Sequence, residues 1–159
     1  MIRENKMTKN LYSYPLNAKS KFEMTYDKSK AHVGRLRYGV DFIVPQGTLI
    51  FAALDGIVVD VKQDSDIGGD TEDHDTNGNY IEIRHDSMEY SIYEHIRKKG
   101  SLVKVGDEVK RGQIIGYSGA TGWLSGLGPH IHFDVHIYHE PKGPEDYETV
   151  EITWKDSKK

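Results

Sequence analysis

From Leu36 onward the apolar positions fall in short β-branched and aromatic runs: Val40 to Val44, Thr48 to Leu54, Gly56 to Val61, Tyr80 to Arg84, Tyr90 to His95, Val109 to Tyr117 and Ile131 to Tyr138. Runs of this length, bounded by Gly, Asn, Asp and Pro, are strand signals, and no window carries a helical period. The pattern predicts one all-β domain over residues 31–155. Pro45-Gln46-Gly47, Leu54-Asp55-Gly56, Val105-Gly106-Asp107 and Lys110-Arg111-Gly112 each place a residue that tolerates positive φ between two strands, which suits tight hairpins. Residues 1–30 are polar and lysine-rich, with scattered Tyr12, Tyr14, Phe22 and Tyr26, and read as an irregular strap held by a few side chains. Thr149 to Trp154 reads as a closing edge strand, and residues 156–159 as a frayed tail.

Composition narrows the chemistry. A chain of 159 residues has room for a single core. A formal net charge of −4 removes the general basic character that nucleic acid or anionic lipid would require. No apolar run approaches the roughly 18 residues of a membrane span, and Met1 to Lys21 lacks the continuous apolar stretch of a signal peptide. Cysteine is absent, so disulfides, thiolate metal sites and a cysteine nucleophile are excluded together. Any metal would be held by nitrogen and oxygen, which directs attention to the eight histidines.

In His130-Ile131-His132-Phe133-Asp134-Val135-His136-Ile137-Tyr138 a period of two turns Ile131, Phe133, Val135 and Ile137 toward the core. His130, His132, Asp134 and His136 then share the other face, either as the wet side of a strand or as a metal-binding surface; the role of His136 stays open. A His-x-His pair lets a strand hold a metal with one ring and do chemistry with the other. The same alternation in Tyr90 to Ile96 sets Ile92 and Ile96 on one face and Tyr93 with His95 on the polar one. His74, His85 and His139 read as surface residues. Asp41 stands inside the apolar run Val40 to Val44, where a bare carboxylate would cost several kcal/mol, so it needs either Arg37, four residues earlier, or a metal.

Two loops flank these candidates. Gly116, Gly119, Gly122, Gly126 and Gly128 crowd the segment before Pro129 and His130, where they could admit a ligand closely. The segment Asp64 to Gly78 carries six acidic residues and no Lys or Arg, an acidic wall suited to peptides with free amines. Asp73-x-Asp75-x-Asn77-Gly78 opens like a calcium loop, but the twelfth position is Arg84 instead of Glu, so an EF-hand is rejected and a solvated loop preferred.

Taken in order, Gly39-Val40-Asp41-Phe42, Pro45-x-Gly47-Thr48, Ala52-Ala53-x-Asp55-Gly56, Gly78-Asn79-Tyr80, Tyr93-x-His95, Gly112-Gln113-x-Ile115-Gly116, Ser118-Gly119-x-Thr121-Gly122 and Gly128-Pro129-His130-Ile131-His132-Phe133 resemble the lysostaphin-type zinc endopeptidases over about Tyr38 to Tyr138. The resemblance implies an antiparallel β-sheet groove of the duplicated hybrid motif type and hydrolysis of peptidoglycan peptides, extracellular or periplasmic, with a cytoplasmic location as the alternative that the missing signal-peptide pattern leaves open. It makes Asp41 and His132 zinc ligands, and His95 and His130 the histidines that handle the proton and the oxyanion. It also exposes a departure: the family's first ligand, four residues before the aspartate, is Arg37 here.

Guanidinium has no acceptor and cannot ligate. At about 4 Å from a dication its repulsion would be about 8 kcal/mol at an effective dielectric near 20. His32 is the candidate substitute, brought opposite Asp41 if a hairpin turns near Leu36 and Arg37. The ligand set would then be His32, Asp41 and His132. The alternatives are a degenerate relative that binds cell-wall peptide or a partner protein without cutting, with Arg37 paired to Asp41, and a histidine phosphocarrier of the sugar phosphotransferase type, which shares the hybrid motif.

Overall fold

The computed structural model describes residues 7–26, 32, 34–139 and 146–155. Its strands, in chain order, are β1 (Met7–Tyr12), β2 (Glu23–Thr25), β3 (Val40–Ile43), β4 (Leu49–Phe51), β5 (Gly56–Lys62), β6 (Gly68–Gly69), β7 (Tyr80–Arg84), β8 (Tyr90–Glu94), β9 (Ile96–Ser101), β10 (Glu108–Val109), β11 (Ile114–Ser118), β12 (Gly122–Trp123), β13 (His130–Tyr138) and β14 (Tyr147–Trp154). Among the described residues only short 3-10 turns interrupt them, so the all-β reading stands. The run Val109 to Tyr117 is two strands, because the turn at Lys110 to Gly112 divides it into β10 and β11.

The main sheet has the order β1-β14-β13-β8-β7-β5-β10. At its centre lies β13, which pairs with β8 along one edge and divides the other. His130 to Phe133 pair with β3, and Val135 to Tyr138 with β14. A three-stranded sheet, β4-β11-β9, covers part of the molecule, and one buried cluster draws Ile50, Ile96 and Ile115 from it together with Phe42, Val58, Ile81, Tyr93, Phe133 and Val135 from the main sheet. Each such side chain contributes on the order of 1.5–3 kcal/mol through burial.

The N-terminal segment contributes two of the strands. β2 pairs with β3, and β1 runs parallel to β14, so β14 is an interior strand and not the edge expected from its sequence. The scattered aromatics do hold it. Tyr14 lies 4.7 Å from Trp154, Phe22 lies 5.4 Å from Phe42, and Tyr12 is fully buried. The carboxylate of Glu89, also fully buried, accepts from the backbone N–H of Lys9 and Asn10 and from the hydroxyl of Tyr12.

Candidate active site

Directly opposed residues of an antiparallel pair send their side chains to the same face. The register places Asp41 of β3 and Glu94 of β8 on either side of His132. His32 lies two residues before the 3-10 turn Gly34–Leu36. It does not come from a hairpin partner, since Thr25 is the residue opposite Asp41. Its Nε2 lies 3.1 Å from His132 Nδ1 and 3.3 Å from Asp41 Oδ2, while His132 Nδ1 lies 3.2 Å from Asp41 Oδ1. All three side chains are buried or nearly so.

Four electron-rich atoms, Nε2 of His32, Nδ1 of His132 and both oxygens of Asp41, converge here and repel one another unless a cation, a proton or a metal, sits among them. Their spacing fits a metal: with bonds of 2.0–2.1 Å the edge of a tetrahedron is about 3.3 Å. Gly39 leaves room for this arrangement. A Cβ there would lie 2.6 Å from Cε1 of His132 and 3.2 Å from Nε2 of His32. Arg37 donates from Nη1 to Gly34 O and stacks its guanidinium over the Tyr38 ring, whereas the ion pairs of Asp41 are with His32, His130 and His132. Burial works against the Asp41 carboxylate, but His132 and His32 outweigh it and hold its pKa far below the usual range. For His132 burial opposes the charge, and the carboxylates of Glu94, Asp134 and Asp41 reverse that and raise it.

His130 and His95 border this triad. His130 Nε2 is 3.5 Å from Asp41 Oδ1, and its ring centroid is 4.5 Å from that of His95. Each ring is oriented by a carbonyl: His130 Nδ1–H donates to Gly128 O at 2.8 Å, and His95 Nδ1–H to Thr121 O at 2.6 Å. These bonds assign the proton to Nδ1 and leave Nε2 as the basic atom. Burial, with His130 and His132 nearby, pushes the His95 pKa down to about 3, and burial also lowers His130. Both rings are therefore neutral near pH 7.

His95 is on this face for a reason other than the expected alternation. Tyr93 opposes Phe133 and lies in the core at 0% exposure, whereas Ile92 opposes Asp134 on the histidine face. Alternation alone would carry His95 inward with Tyr93. Instead its φ of +71° breaks the strand between β8 and β9 and turns the ring back toward His130. Thr121 helps to fix this corner, its hydroxyl donating to Ile96 O and accepting from Asn79 N–H.

The structure thus brings together all five predicted residues, His32, Asp41, His95, His130 and His132. The polar face of β13, however, is not wet: His130 to His136 are buried on both sides. Sequence reasoning passed over what lies behind His132. Its Nε2 faces Asp134 Oδ2 at 3.0 Å, His136 bridges Asp134 Oδ1 at 2.8 Å and Glu82 Oε2 at 2.6 Å, and Tyr147 donates to both oxygens of Asp134. The period of two did place Asp134 and His136 beside His132; Glu82 and Tyr147 are remote in sequence and carried no such mark. His85 is a second correction. It is buried, with Nδ1 on Asp55 O and Nε2 on the Ser91 hydroxyl. His139 is partly exposed and pairs with Glu148.

Among the described residues, two groups bring three ligand atoms within 4.8 Å of one another: His32, Asp41 and His132, and Glu94, His132 and Asp134. Neither draws on the acidic segment, where Glu72–Asn77 forms an exposed 3-10 turn. That segment is tied to the glycine-rich loop by β6 and β12, which pair in parallel beside the histidines.

Comparison with known proteins gives a consistent picture. The model of peptidase family M23 matches residues 35–144. The peptidoglycan DD-endopeptidase ShyA of Vibrio cholerae is 34% identical over 132 residues, covering 80% of this chain and 27% of the relative. Lysostaphin of Staphylococcus simulans is 42% identical over 101 residues, 63% of this chain and 18% of the relative. The chain spans about a quarter of the length of the first curated relatives it matches, 24% and 27%. Among solved structures, the lysostaphin catalytic domain is similar with a TM-score of 0.56 at 30% identity over 80% of this chain and 88% of that one. A zinc-containing peptidase from Vibrio cholerae is similar at 0.55 and 33% identity over 79% and 36%.

Proposed function

The chain belongs to peptidase family M23, and from that premise we propose that it hydrolyses amide bonds in peptidoglycan peptides with one zinc ion held by His32 Nε2, the Asp41 carboxylate and His132 Nδ1. The observation that supports this reading is the 3.1 Å between the two imidazole nitrogens, with His32 Nε2 3.3 Å from Oδ2 and His132 Nδ1 3.2 Å from Oδ1 of Asp41, beside a space kept open by Gly39. His32 takes the place that the family gives to a histidine at the position of Arg37. Zinc with three protein ligands keeps an open position, lowers the pKa of water to about 7 and polarises a carbonyl. The protein's own part is proton handling. His95 and His130, neutral and oriented through Nδ1, present Nε2 as the base that takes a proton from the attacking water; the Nε2–H so formed can then stabilise charge on the carbonyl oxygen and return the proton to the leaving amine. The substrate enters from the wall between the acidic segment and the glycine-rich loop, and the activity belongs at the cell wall. Among the described residues, no helix is long and apolar enough to cross a membrane.

Metal analysis and turnover of purified peptidoglycan peptides test this together. The parent chain is expected to carry one zinc, and His32→Ala, Asp41→Ala and His132→Ala to lose it. His95→Ala and His130→Ala should retain zinc while hydrolysis falls about 10²–10⁴-fold. A parent chain without zinc sinks the enzyme reading in favour of a groove that binds without cutting; full zinc in His32→Ala removes His32 as a ligand.

A further inference from the structure

The polar residues behind His132 form a continuous chain that the proposed chemistry does not use. Asp134 is 1% exposed, and four hydrogen bonds occupy its two oxygens: His132 Nε2 and Tyr147 OH on Oδ2, His136 Nδ1 and Tyr147 OH on Oδ1. His136 has no exposed surface. Its ring is stacked between Tyr147, at 3.7 Å and 20°, and Tyr90, at 5.7 Å and 13°, and its Nε2 ends on Glu82, which also accepts from Tyr138.

Resting on the zinc reading above, we propose that His136, anchored by Glu82, is a positioning residue that sets Asp134 so that Asp134 holds the Nε2–H of His132 and presents Nδ1 to the metal. A carboxylate behind a ligating histidine fixes both its tautomer and its ring angle. Here the carboxylate could rotate about its own χ2, and the Nδ1–H of His136 stops that rotation by binding the oxygen that His132 does not use. The geometry also decides the second group of ligand atoms, Glu94, His132 and Asp134. With hydrogens of Tyr147 and His132 already directed at Asp134 Oδ2, that group is a hydrogen-bonded support, and the chain binds one metal and not two.

The test separates positioning from packing. In a Glu82→Gln background, which avoids a buried unpaired carboxylate, His136→Phe keeps the stack between the two tyrosines but removes the donor to Asp134. His136→Asn places an amide N–H where Nδ1–H was and leaves a void between the tyrosines. Zinc affinity is measured by chelator competition, and folding by circular dichroism. Positioning predicts that His136→Phe weakens zinc binding about 10–100-fold and that His136→Asn restores most of it. A purely structural role predicts the opposite order, and equal affinities in both variants likewise overturn the proposal, as does a second equivalent of zinc in the parent. If the parent binds no zinc, the functional reading falls and the positioning role falls with it; if the parent binds and only the variant order disagrees, the positioning role alone is lost.

Discussion

At the scale of single residues, Gly39 has the most specific requirement in the site. Its neighbours are not backbone but two imidazoles whose nitrogen positions define the proposed metal centre. A methyl at Gly39 cannot be absorbed by a flexible side-chain tip, because the His132 ring is fixed from behind by Asp134. Gly39→Ala is therefore expected to displace His132 and His32, lowering zinc content while the circular dichroism spectrum keeps its β signature. Retention of full zinc in a folded Gly39→Ala chain would show that the three donors do not share one ion. Arg37, two residues earlier, illustrates the reverse case. A cation in a position that resemblance assigns to a ligand is accommodated because it binds the Gly34 carbonyl and the Tyr38 ring, away from the triad.

At the scale of elements, β13 was readable and β8 only in part. The unbroken alternation of His130 to Tyr138 gave both the strand and the two faces, since a period of two leaves no other assignment. In β8 the expected faces were reversed: Tyr93, assigned with His95 to the polar face, is in the core and Ile92 is on the histidine face, because the register against Phe133 and Asp134 decides the side and a local pattern does not contain it. The positive φ of His95 had no sequence signal either, because it falls on a residue other than glycine. β1 was hidden for a different reason: its stability comes from a buried acid 77 to 80 residues away and not from its own apolar content. Glu89→Ala would leave the N–H groups of Lys9 and Asn10 without their carboxylate, and hydrogen bonds to a charged group contribute about 1.5–3 kcal/mol each. Urea unfolding should show a loss of about 3 kcal/mol for Glu89→Ala, and a change below about 0.5 kcal/mol, the range of ordinary surface substitutions, would mean that β1 is held by its pairing with β14 and by Tyr12 without the acid.

At the scale of the molecule, the fold class was legible because strand alternation and turn motifs are local, whereas the groove and the grouping of the five side chains were expected from the resemblance that the ordered motifs carry. The burial of His85 and His136 was not, because their partners come from other strands. His85 also makes stability depend on pH. Burial lowers its folded pKa below the unfolded value of about 6.5, so between the two values the unfolded chain binds the extra proton. Its contribution is retained above about pH 6.5 and lost as the pH falls from there toward the folded pKa. His85→Asn, which keeps a donor for the Asp55 carbonyl, should lose less stability than the parent between pH 7.5 and pH 5 in urea titrations; equal losses would assign that slope to other groups.

The divided edge of β13 has a consequence for motion. Because β3 takes its first half, β14 its second and β8 its middle from His132 to His136, the strand is paired on both flanks at His132, Phe133, Val135 and His136 and cannot peel away there from one side. The amide protons of its paired residues are then released to solvent only when the main sheet comes apart, so the geometry around His132 persists on the timescale of global unfolding and not on that of loop fluctuation.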